Sequence, residues 1–306
     1  MTMLAGIYSL LSASLFVSMD AVDVAFTEAS VGAGISTLLM LTTLAITGRS
    51  EHPVRHKPLL AFVVVFFTGA LLIYATLDMP SYGDVNSAAN LHVVQRYIND
   101  SFMEIGVDNI VTSVLASYRG FDTFGEVVVI FTAGIGVLAL LSFARRPIND
   151  SEIDSINDSM HEEYLIVRIV SKILIPFILL FALYVQFHGD FGPGGGFQAG
   201  VIFAAAVILY AMLFGMSVAR RVINQSFVQL FAAVGVLIYG GVGIVSMLNG
   251  GNFLDYDVLS DDPLAGQHLG ILLIELGVGI AVAMVVIIIF FNFAERIGLN
   301  RARNEQ

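Results

Sequence analysis

The feature that most limits how this chain of 306 residues can fold is a series of long apolar segments separated by polar connections. A helix needs about 20 apolar residues to cross the hydrocarbon core of a bilayer. Eight segments meet or approach this length, at residues 3–18, 24–46, 59–78, 121–143, 164–187, 197–217, 227–248 and 267–292. The first segment is the shortest, and it is followed by Asp20 and Asp23.

The balance of apolar and charged residues points to the same environment. Hydrophobic residues make up 57% of the chain, its mean hydropathy is +0.84, and only 13% of its residues are charged. So few charges could not cover that much apolar surface in water, whereas a bilayer removes the need. We therefore predict an all-α fold, a polytopic membrane protein with about eight transmembrane helices.

The residue types exclude several kinds of chemistry. Cysteine is absent, which excludes disulfides, thiolate metal sites, iron–sulfur clusters and a cysteine nucleophile. The six histidines show no metal-ligand spacing, and no Ser/His/Asp arrangement is evident. The net charge of −11 argues against binding to nucleic acid. We therefore expect no cofactor, no resident metal and no group-transfer chemistry in this chain.

The basic residues predict the topology. The chain has 14 Lys and Arg, and with eight spans all but Arg96 and Arg119 fall on one face of the membrane. Basic residues are enriched in cytoplasmic loops, so both termini are expected in the cytoplasm. On the opposite side, residues 99–118 are predicted to form an amphipathic helix. Its apolar face would carry Phe102, Ile105, Ile110, Val114 and Leu115.

Carboxylates in or near the apolar segments are the first candidates for function. A charged side chain at the bilayer centre costs about 2.5–3.5 kcal/mol on insertion scales. The candidates are Asp23, Glu28, Glu126 and Glu275. Asp23 could cap the second segment, whereas Glu28 and Glu126 lie inside spans where no free backbone group needs them. Glu275 lies beside two glycines, so an ion site and helix packing are equally open there.

These carboxylates favour the transfer of protons or cations. Desolvation in a helix bundle makes a carboxylate able to load and release a proton near neutral pH. Asp23 and Glu28 are five positions apart, about 140° around a regular helix. They would share a face only if the helix were broken or unwound between them.

A glycine-rich stretch, HGDFGPGGGFQAGV at residues 188–201, separates two apolar segments. It lacks the Lys-Ser/Thr of a phosphate-binding loop, so a nucleotide cradle is disfavoured. Pro193 suits the first turn of a helix, Gly194, Gly195 and Gly196 allow a sharp turn, and Phe197 begins the next span. With His188 and Asp190 beside it, the stretch predicts a break between helices at the outer mouth of a polar passage.

Three stretches resemble subunits of known membrane complexes. HGDFGPGGGFQAGVIFAAAVIL resembles the signature of the MrpB (MnhB) subunit of multisubunit cation/proton antiporters, with Ala199 where a glycine is usual. DAVDVAFTEASVGAGISTLL resembles the carboxy-terminal part of MrpA and the MbhD subunit of membrane-bound hydrogenases, with Val22 where proline is common. NIVTSVLASYRGFDTFGEVVVIFTAGIGVLALL is similar to the MbhE-like end of MrpA, with its core at Arg119–Glu126.

The resemblance implies a modular chain. The predicted modules are a MbhD-like hairpin (1–48), a MbhE-like two-helix module with an external amphipathic segment (58–143), a charged cytoplasmic linker (144–163), a MrpB-like four-helix module (164–294) and a cytoplasmic tail (295–306).

The resemblance also implies a function. It identifies a subunit of an Mrp-type Na+/H+ antiporter in a prokaryotic cytoplasmic (inner) membrane, with large MrpA/MrpD-like and small MrpC/E/F/G-like subunits as partners. Asp23, Glu28 and Glu126 match acidic positions implicated in ion transfer, and His188 with the turn Pro193–Phe197 matches a further functional region. Two alternatives stay open: a membrane subunit of an energy-converting hydrogenase or related complex I-like respiratory assembly, and a purely structural adaptor.

Overall fold

Every regular element is a helix in the computed structural model of the chain, which describes residues 1–47, 58–81, 83–142 and 165–304. The predicted charged linker at 144–163 lies outside the described residues, as do Arg49, Arg55 and Lys57 of the basic connection. The predicted all-α membrane fold is therefore confirmed for the part of the chain that is described.

The elements follow one another in this order. The N-terminal elements are α1 (Thr2–Ser18), α2 (Val22–Thr27), the π-helix π1 (Glu28–Ser36), α3 (Thr37–Thr47) and α4 (Pro58–Thr76). Short elements follow: π2 (Asn90–Val94), α5 (Gln95–Asn99), α6 (Ser101–Ile105), α7 (Ile110–Thr112) and π3 (Ser113–Tyr118). The remaining elements are α8 (Gly120–Ser142), α9 (Leu165–His188), α10 (Gly196–Phe214), α11 (Met216–Val222), α12 (Gln225–Leu248), a 3-10 turn (Tyr256–Leu259) and α13 (Pro263–Asn304).

Seven helices within these residues are long and apolar enough to cross a membrane. They correspond to seven of the eight predicted spans. The remaining one is α1, an apolar helix of 17 residues, at the short end of the usable range. The second span is not one regular helix, because α2, π1 and α3 follow one another without a gap.

Two compact units divide the chain. Gly48–Asp100 forms one of them, and the apolar stretch of its helix α4 has none of its residues buried. Met1–Thr47 and Ser101–Gln306 form the other unit, which holds the hydrophobic core.

Helix α13 is the centre of that core. Of its most apolar stretch 67% is buried, a larger share than in any other described span. Helices α8, α10 and α12 pack around it. Ile271 and Ile287 are fully buried. A chain in lipid has no hydrophobic driving force between its helices, so this packing depends on close backbone approach and on polar contacts.

Glycines provide the close approach. A Cβ atom at Gly200 of α10 would lie 2.6 Å from the backbone oxygen of Gly279 in α13. A Cβ atom at Gly235 of α12 would lie 2.6 Å from the backbone oxygen of Gly277. Larger residues at these positions would force the helices apart, and this is why α13 carries glycines on two faces near Glu275.

The predicted single amphipathic helix at 99–118 is wrong. The segment breaks at Gly106, where φ is +80°, and continues as α7 and π3. Of the predicted apolar face only Ile105 is buried, whereas Phe102, Ile110 and Leu115 are exposed. The buried side instead carries small residues such as Ser113 and Ala116. In a protein that packs inside a bilayer, small residues face other helices and large apolar ones can face outward.

The connections of the larger unit meet at one end, which we call the turn end: residues 19–21, 106–120, 189–195 and 249–262. Buried tyrosines hold it together, because Tyr239 donates to the carbonyl of Gly120 (2.7 Å) and Tyr256 donates to that of Ala116 (3.0 Å). At the opposite end Arg220 forms an ion pair with Glu295 (2.8 Å). The predicted location of both termini in the cytoplasm stays a prediction.

Candidate functional site

The glycine turn, residues 189–195, connects α9 to α10 at the turn end. Gly195 has φ of +113°, a conformation that L side chains rarely adopt. Its N–H donates to the carbonyl of Val185, so the chain folds back on the end of α9 (3.0 Å). A Cβ atom at Gly196 would collide with the backbone oxygen of Glu275. The glycines therefore let α10 begin directly against α13.

Pro193 does not occupy the first turn of a helix, and that prediction is wrong. Helix α10 begins at Gly196, so Pro193 belongs to the turn, while Phe197 is the second helical residue. Gly194 is needed for another reason, since a Cβ atom there would lie 2.7 Å from the carbonyl oxygen of Val185.

Glu275 lies beneath the glycine turn. Cβ atoms placed on Gly189 or Gly195 would each come within 3.1 Å of its carboxylate oxygens. Its side chain is partly buried, and no described residue forms a hydrogen bond or an ion pair with it. The carboxylates of Asp190 and Asp23 are close enough for their charges to act on it. We call Asp23, Asp190 and Glu275 the acid cluster.

Asp23 reaches the same turn from the second span. Its Oδ1 accepts a hydrogen bond from the N–H of Gly194 (3.1 Å), and its Oδ2 lies 3.5 Å from Nδ2 of Asn109. One helical turn further on, the side chain of Thr27 accepts from Nε2 of Gln198 (3.0 Å). Asp23 therefore joins two segments that are far apart in sequence, and it is not the N-cap of α2, which is Ala21.

Asp190 is the member of the cluster that lies outside the spans. Its Oδ2 is 3.7 Å from Nδ1 of His268, at the start of α13. Burial raises the pKa of the Asp190 carboxyl, and the neighbouring His268 lowers it in part. Asp190 can therefore hold a proton more readily than a solvated aspartate.

Three of the predicted residues lie elsewhere. Glu28 begins π1, where a Cβ atom on Gly32 would lie 2.7 Å from both Glu28 Oε1 and Ser9 Oγ, so its carboxylate faces α1. Glu126 is exposed on the outside of α8, and its part in ion transfer stays a prediction. Regular α-helix continues from Asp23 to Thr27 and π1 begins only at Glu28, so the helix is not broken between the two acids, and their side chains face different neighbours.

His188 does not join the acid cluster. Its ring stacks on Tyr184, with ring centroids 4.9 Å apart. Together with Leu183 and Phe187 it lines an open depression on the surface. The side chain is half-buried, and its predicted place near an external entrance stays a prediction.

Sequence reasoning missed several polar residues at this site. They are Asn109, Thr112, Gln198 and His268, whereas the sequence indicated Asp190 only as a neighbour of the glycine stretch. Thr112, for example, donates to the carbonyl of Gly189 (2.7 Å). Asn109 carried a local signal, since an asparagine before an apolar run is a typical N-cap. Its further partners could not be read from the sequence, because they lie at least 80 positions away.

The arrangement defines the kind of chemistry that is available. The acid cluster and its neighbours provide carboxylate, amide, hydroxyl and backbone carbonyl oxygens, which are hard ligands suited to protons and hard cations. In the described ranges no group of three His, Asp or Glu side chains is arranged to hold a resident metal ion. The site therefore belongs to a multi-pass membrane protein with ionisable groups gathered at one end of a helix bundle.

Comparison with known families identifies this class of protein more closely. A model described as a domain related to the MnhB subunit of Na+/H+ antiporter matches residues 166–288. Models for subunits D and E of MBH match residues 1–49 and 55–158. The antiporter subunit mnhB2 of Staphylococcus aureus strain Newman is 31% identical over 138 residues, which cover 44% of this chain and 97% of that protein. The chain belongs to the MnhB family.

Two solved structures resemble the whole arrangement. A chain of the Mrp complex from Dietzia sp. DQ12-45-1b matches 94% of this chain at 25% identity, with a TM-score of 0.70. This chain covers 31% of that longer one. A chain of the membrane-bound sulfane sulfur reductase, an archaeal respiratory membrane complex, matches 77% of this chain at 27% identity, with a TM-score of 0.55 and 97% of its own length covered. The predicted family is thus confirmed, as is the location in a prokaryotic inner membrane.

Proposed function

We propose that this chain is a subunit of a multisubunit Na+/H+ antiporter and that its acid cluster takes part in the transfer of protons and sodium ions. The observation that carries the proposal is Glu275. Its carboxylate lies under the glycine turn without a hydrogen bond from the described residues, beside the charges of Asp23 and Asp190. A purely structural carboxylate in a bundle would be expected to bridge neighbouring helices.

Repulsion within the cluster gives it a reason to bind cations. Three carboxylates close together cannot all be ionised without a cost in free energy, and a proton or a sodium ion relieves that cost. The carbonyls of the glycine turn add uncharged oxygen ligands. The site can therefore exchange one cation for another, and antiport requires such an exchange.

Glu28 and Glu126 have separate roles in this proposal. Glu126 is exposed on α8, where an uncompensated charge facing lipid would be costly. We infer that a partner subunit covers it and that it continues the path across the interface. Glu28 faces α1 and lies deeper in the second span. His188 would lie near the outer entrance rather than in the path.

The partners follow from the family. We propose that other subunits of an Mrp-type complex surround the chain, including large antiporter subunits and small membrane subunits, with the lipid bilayer covering the rest. The module boundaries at 1–48, 58–143 and 164–294 are part of this proposal. The chain is a transporter component, and we assign no group-transfer reaction to it.

A second candidate is favoured by one observation. The archaeal respiratory chain is matched along 97% of its length, so the same arrangement occurs in an assembly of another class. In that case the acid cluster would couple a partner's electron transfer to ion movement.

Transport by inverted vesicles that carry the whole complex separates these functions. We expect sodium to collapse an imposed pH gradient without any electron donor, and Asp23→Asn to slow this by about ten-fold or more. Ion movement that requires an electron donor would favour the respiratory assembly. If complexes with Asp23→Asn and with Glu275→Gln both transport at the full rate, the chain acts only as a structural adaptor.

A further inference from the structure

Asn109 lies where three parts of the chain meet. Its Oδ1 accepts from the N–H of Val111 (2.9 Å) and so caps α7. Its backbone N–H donates to the carbonyl of Asp190 (3.0 Å). Its side-chain Nδ2 lies near three acceptors: Gly189 O at 3.1 Å, Gly192 O at 3.0 Å and Asp23 Oδ2 at 3.5 Å.

The amide cannot satisfy all three acceptors at once. An asparagine NH2 group carries two hydrogens, so one acceptor is always shared or left out. An ionised carboxylate is a stronger acceptor than a peptide carbonyl. Once Asp23 binds a proton or a cation, its attraction for the amide falls and the two glycine carbonyls receive both hydrogens.

The change in the charge of Asp23 also acts on the glycine turn through a second contact. The N–H of Gly194 donates to Asp23 Oδ1 (3.1 Å), and this hydrogen bond also weakens when Asp23 is neutralised. The turn lies directly over the Glu275 carboxylate. The charge on Asp23 therefore reaches Glu275 through the position of the turn as well as through space.

We propose that Asn109 is a positioning residue that couples the charge of Asp23 to the glycine turn over Glu275. This inference rests on the proposed function. The other titratable side chains of the junction are Asp190, Glu275 and His268, and none of them hydrogen-bonds to the Asn109 side chain within the described ranges. Asn109 is thus a side-chain link between the second span and the turn, beside the hydrogen bond from the Gly194 N–H to Asp23.

A plain capping role is the rival explanation, and the chain offers a matched control. Asn224 caps α12 in the same way, with its Oδ1 accepting from the N–H of Ser226 (3.1 Å). Serine also caps helices well, so Asn→Ser keeps the cap at both positions. At position 109 it removes the NH2 group that reaches Gly189, Gly192 and Asp23.

The test compares Asn109→Ser with Asn224→Ser in the whole complex, with sodium-dependent proton transport in vesicles as the readout. We expect Asn109→Ser to lower the apparent KM for sodium by about two- to ten-fold, the equivalent of one hydrogen bond, because the amide no longer favours the ionised, cation-free Asp23. Asn224→Ser should leave KM unchanged. A merely structural role would lower the maximal rate with the amount of assembled complex and leave KM alone, and that result would overturn the inference.

A second variant covers the case in which Asn109→Ser assembles poorly. Asn109→Asp keeps the size and the cap but places an acceptor opposite Asp23 and the two carbonyls. It should lower KM at least as much as the serine variant, because its carboxylate adds a negative charge beside Asp23. An unchanged KM in Asn109→Asp would overturn the inference as well.

Asp23→Asn, measured alongside, separates the failure of this inference from that of the proposed function. If Asp23→Asn transports normally, the proposed role of the acid cluster is contradicted, and the proposed coupling through Asn109 is contradicted as well. If Asp23→Asn is impaired while Asn109→Ser matches Asn224→Ser, only the coupling is wrong. If both variants differ from the unmodified complex, the double variant should differ by less than the sum of the two single effects, because both changes break one link.

Discussion

The acids gathered at the glycine turn and the acids that stand apart differ in what surrounds them. Glu275 and Asp23 lie among segments of their own chain, at the point where the turn and α13 meet. Glu126 is exposed on α8. The surroundings of Glu275 and Asp23 are formed by this chain alone, whereas Glu126 requires a partner subunit to cover it. The depth of a carboxylate along a span therefore predicts that its charge is costly. Only the packing shows which neighbouring groups offset that cost.

The largest effect should come from the packing that holds the first group in place. Gly196→Ala puts a Cβ atom against the backbone oxygen of Glu275, so α10 and α13 must separate. We expect a loss of folded subunit from the complex, since overpacking costs about 1–3 kcal/mol or more. Gly241→Ala is the matched control, because a Cβ atom there has no neighbour within 4 Å. Equal recovery of both variants in purified complex would contradict the close approach.

The next largest effect separates chemistry from packing. Glu275→Gln keeps the shape and removes the charge, so the complex should assemble while its sodium-dependent transport falls by about ten-fold or more. Asp261→Asn, which removes an exposed carboxylate at the same end of the molecule, serves as the control. Transport at the full rate by Glu275→Gln would remove the distinction between the two groups of acids.

Glu126→Gln should have a smaller effect, of about three-fold on the rate. The reason is that an exposed carboxylate at the edge of this chain contributes through a partner rather than through the cluster. Single-cysteine labelling adds a check, because the chain has no cysteine of its own. A Glu126→Cys variant should react with maleimide in the detergent-purified single subunit and be protected in the complex. Equal labelling in both would show that nothing covers α8 there.

A still smaller effect concerns pH. Burial raises the pKa of Asp190 and His268 lowers it. Removing the lowering partner by His268→Gln should therefore raise the pKa of Asp190 further, and the acidic limb of the transport profile should move to higher pH. Because the side chains of His268 and Asp190 are 45% and 22% exposed, we expect a shift below about one pH unit. A shift toward lower pH would have the wrong sign for this account.

His188→Gln should have the smallest effect, less than about two-fold on the rate. Its ring stacks on Tyr184 beside an open depression, away from the carboxylates. A loss of transport as large as that of Glu275→Gln would place His188 in the ion path. It would contradict the separation of His188 from the acid cluster.

The sequence predicted the membrane fold, because the length of apolar segments depends on the bilayer alone. It predicted the family only through the three stretches that resemble known subunits. It also selected Asp23 and Glu275, since a carboxylate in an apolar segment is conspicuous. It could not separate them from Glu126, because exposure depends on which face of α8 meets α13. Asp190 and Asn109 carried weak local signals, and their roles come from contacts between distant segments.

Infrared difference spectroscopy of the assembled complex, with and without sodium, tests the central claim most directly. The account predicts a sodium-induced change in carboxylate bands that is lost in Glu275→Gln and reduced in Asp23→Asn, while Asp261→Asn keeps the full change. An unaltered difference spectrum in Glu275→Gln would contradict the claim that the carboxylate beneath the glycine turn exchanges cations.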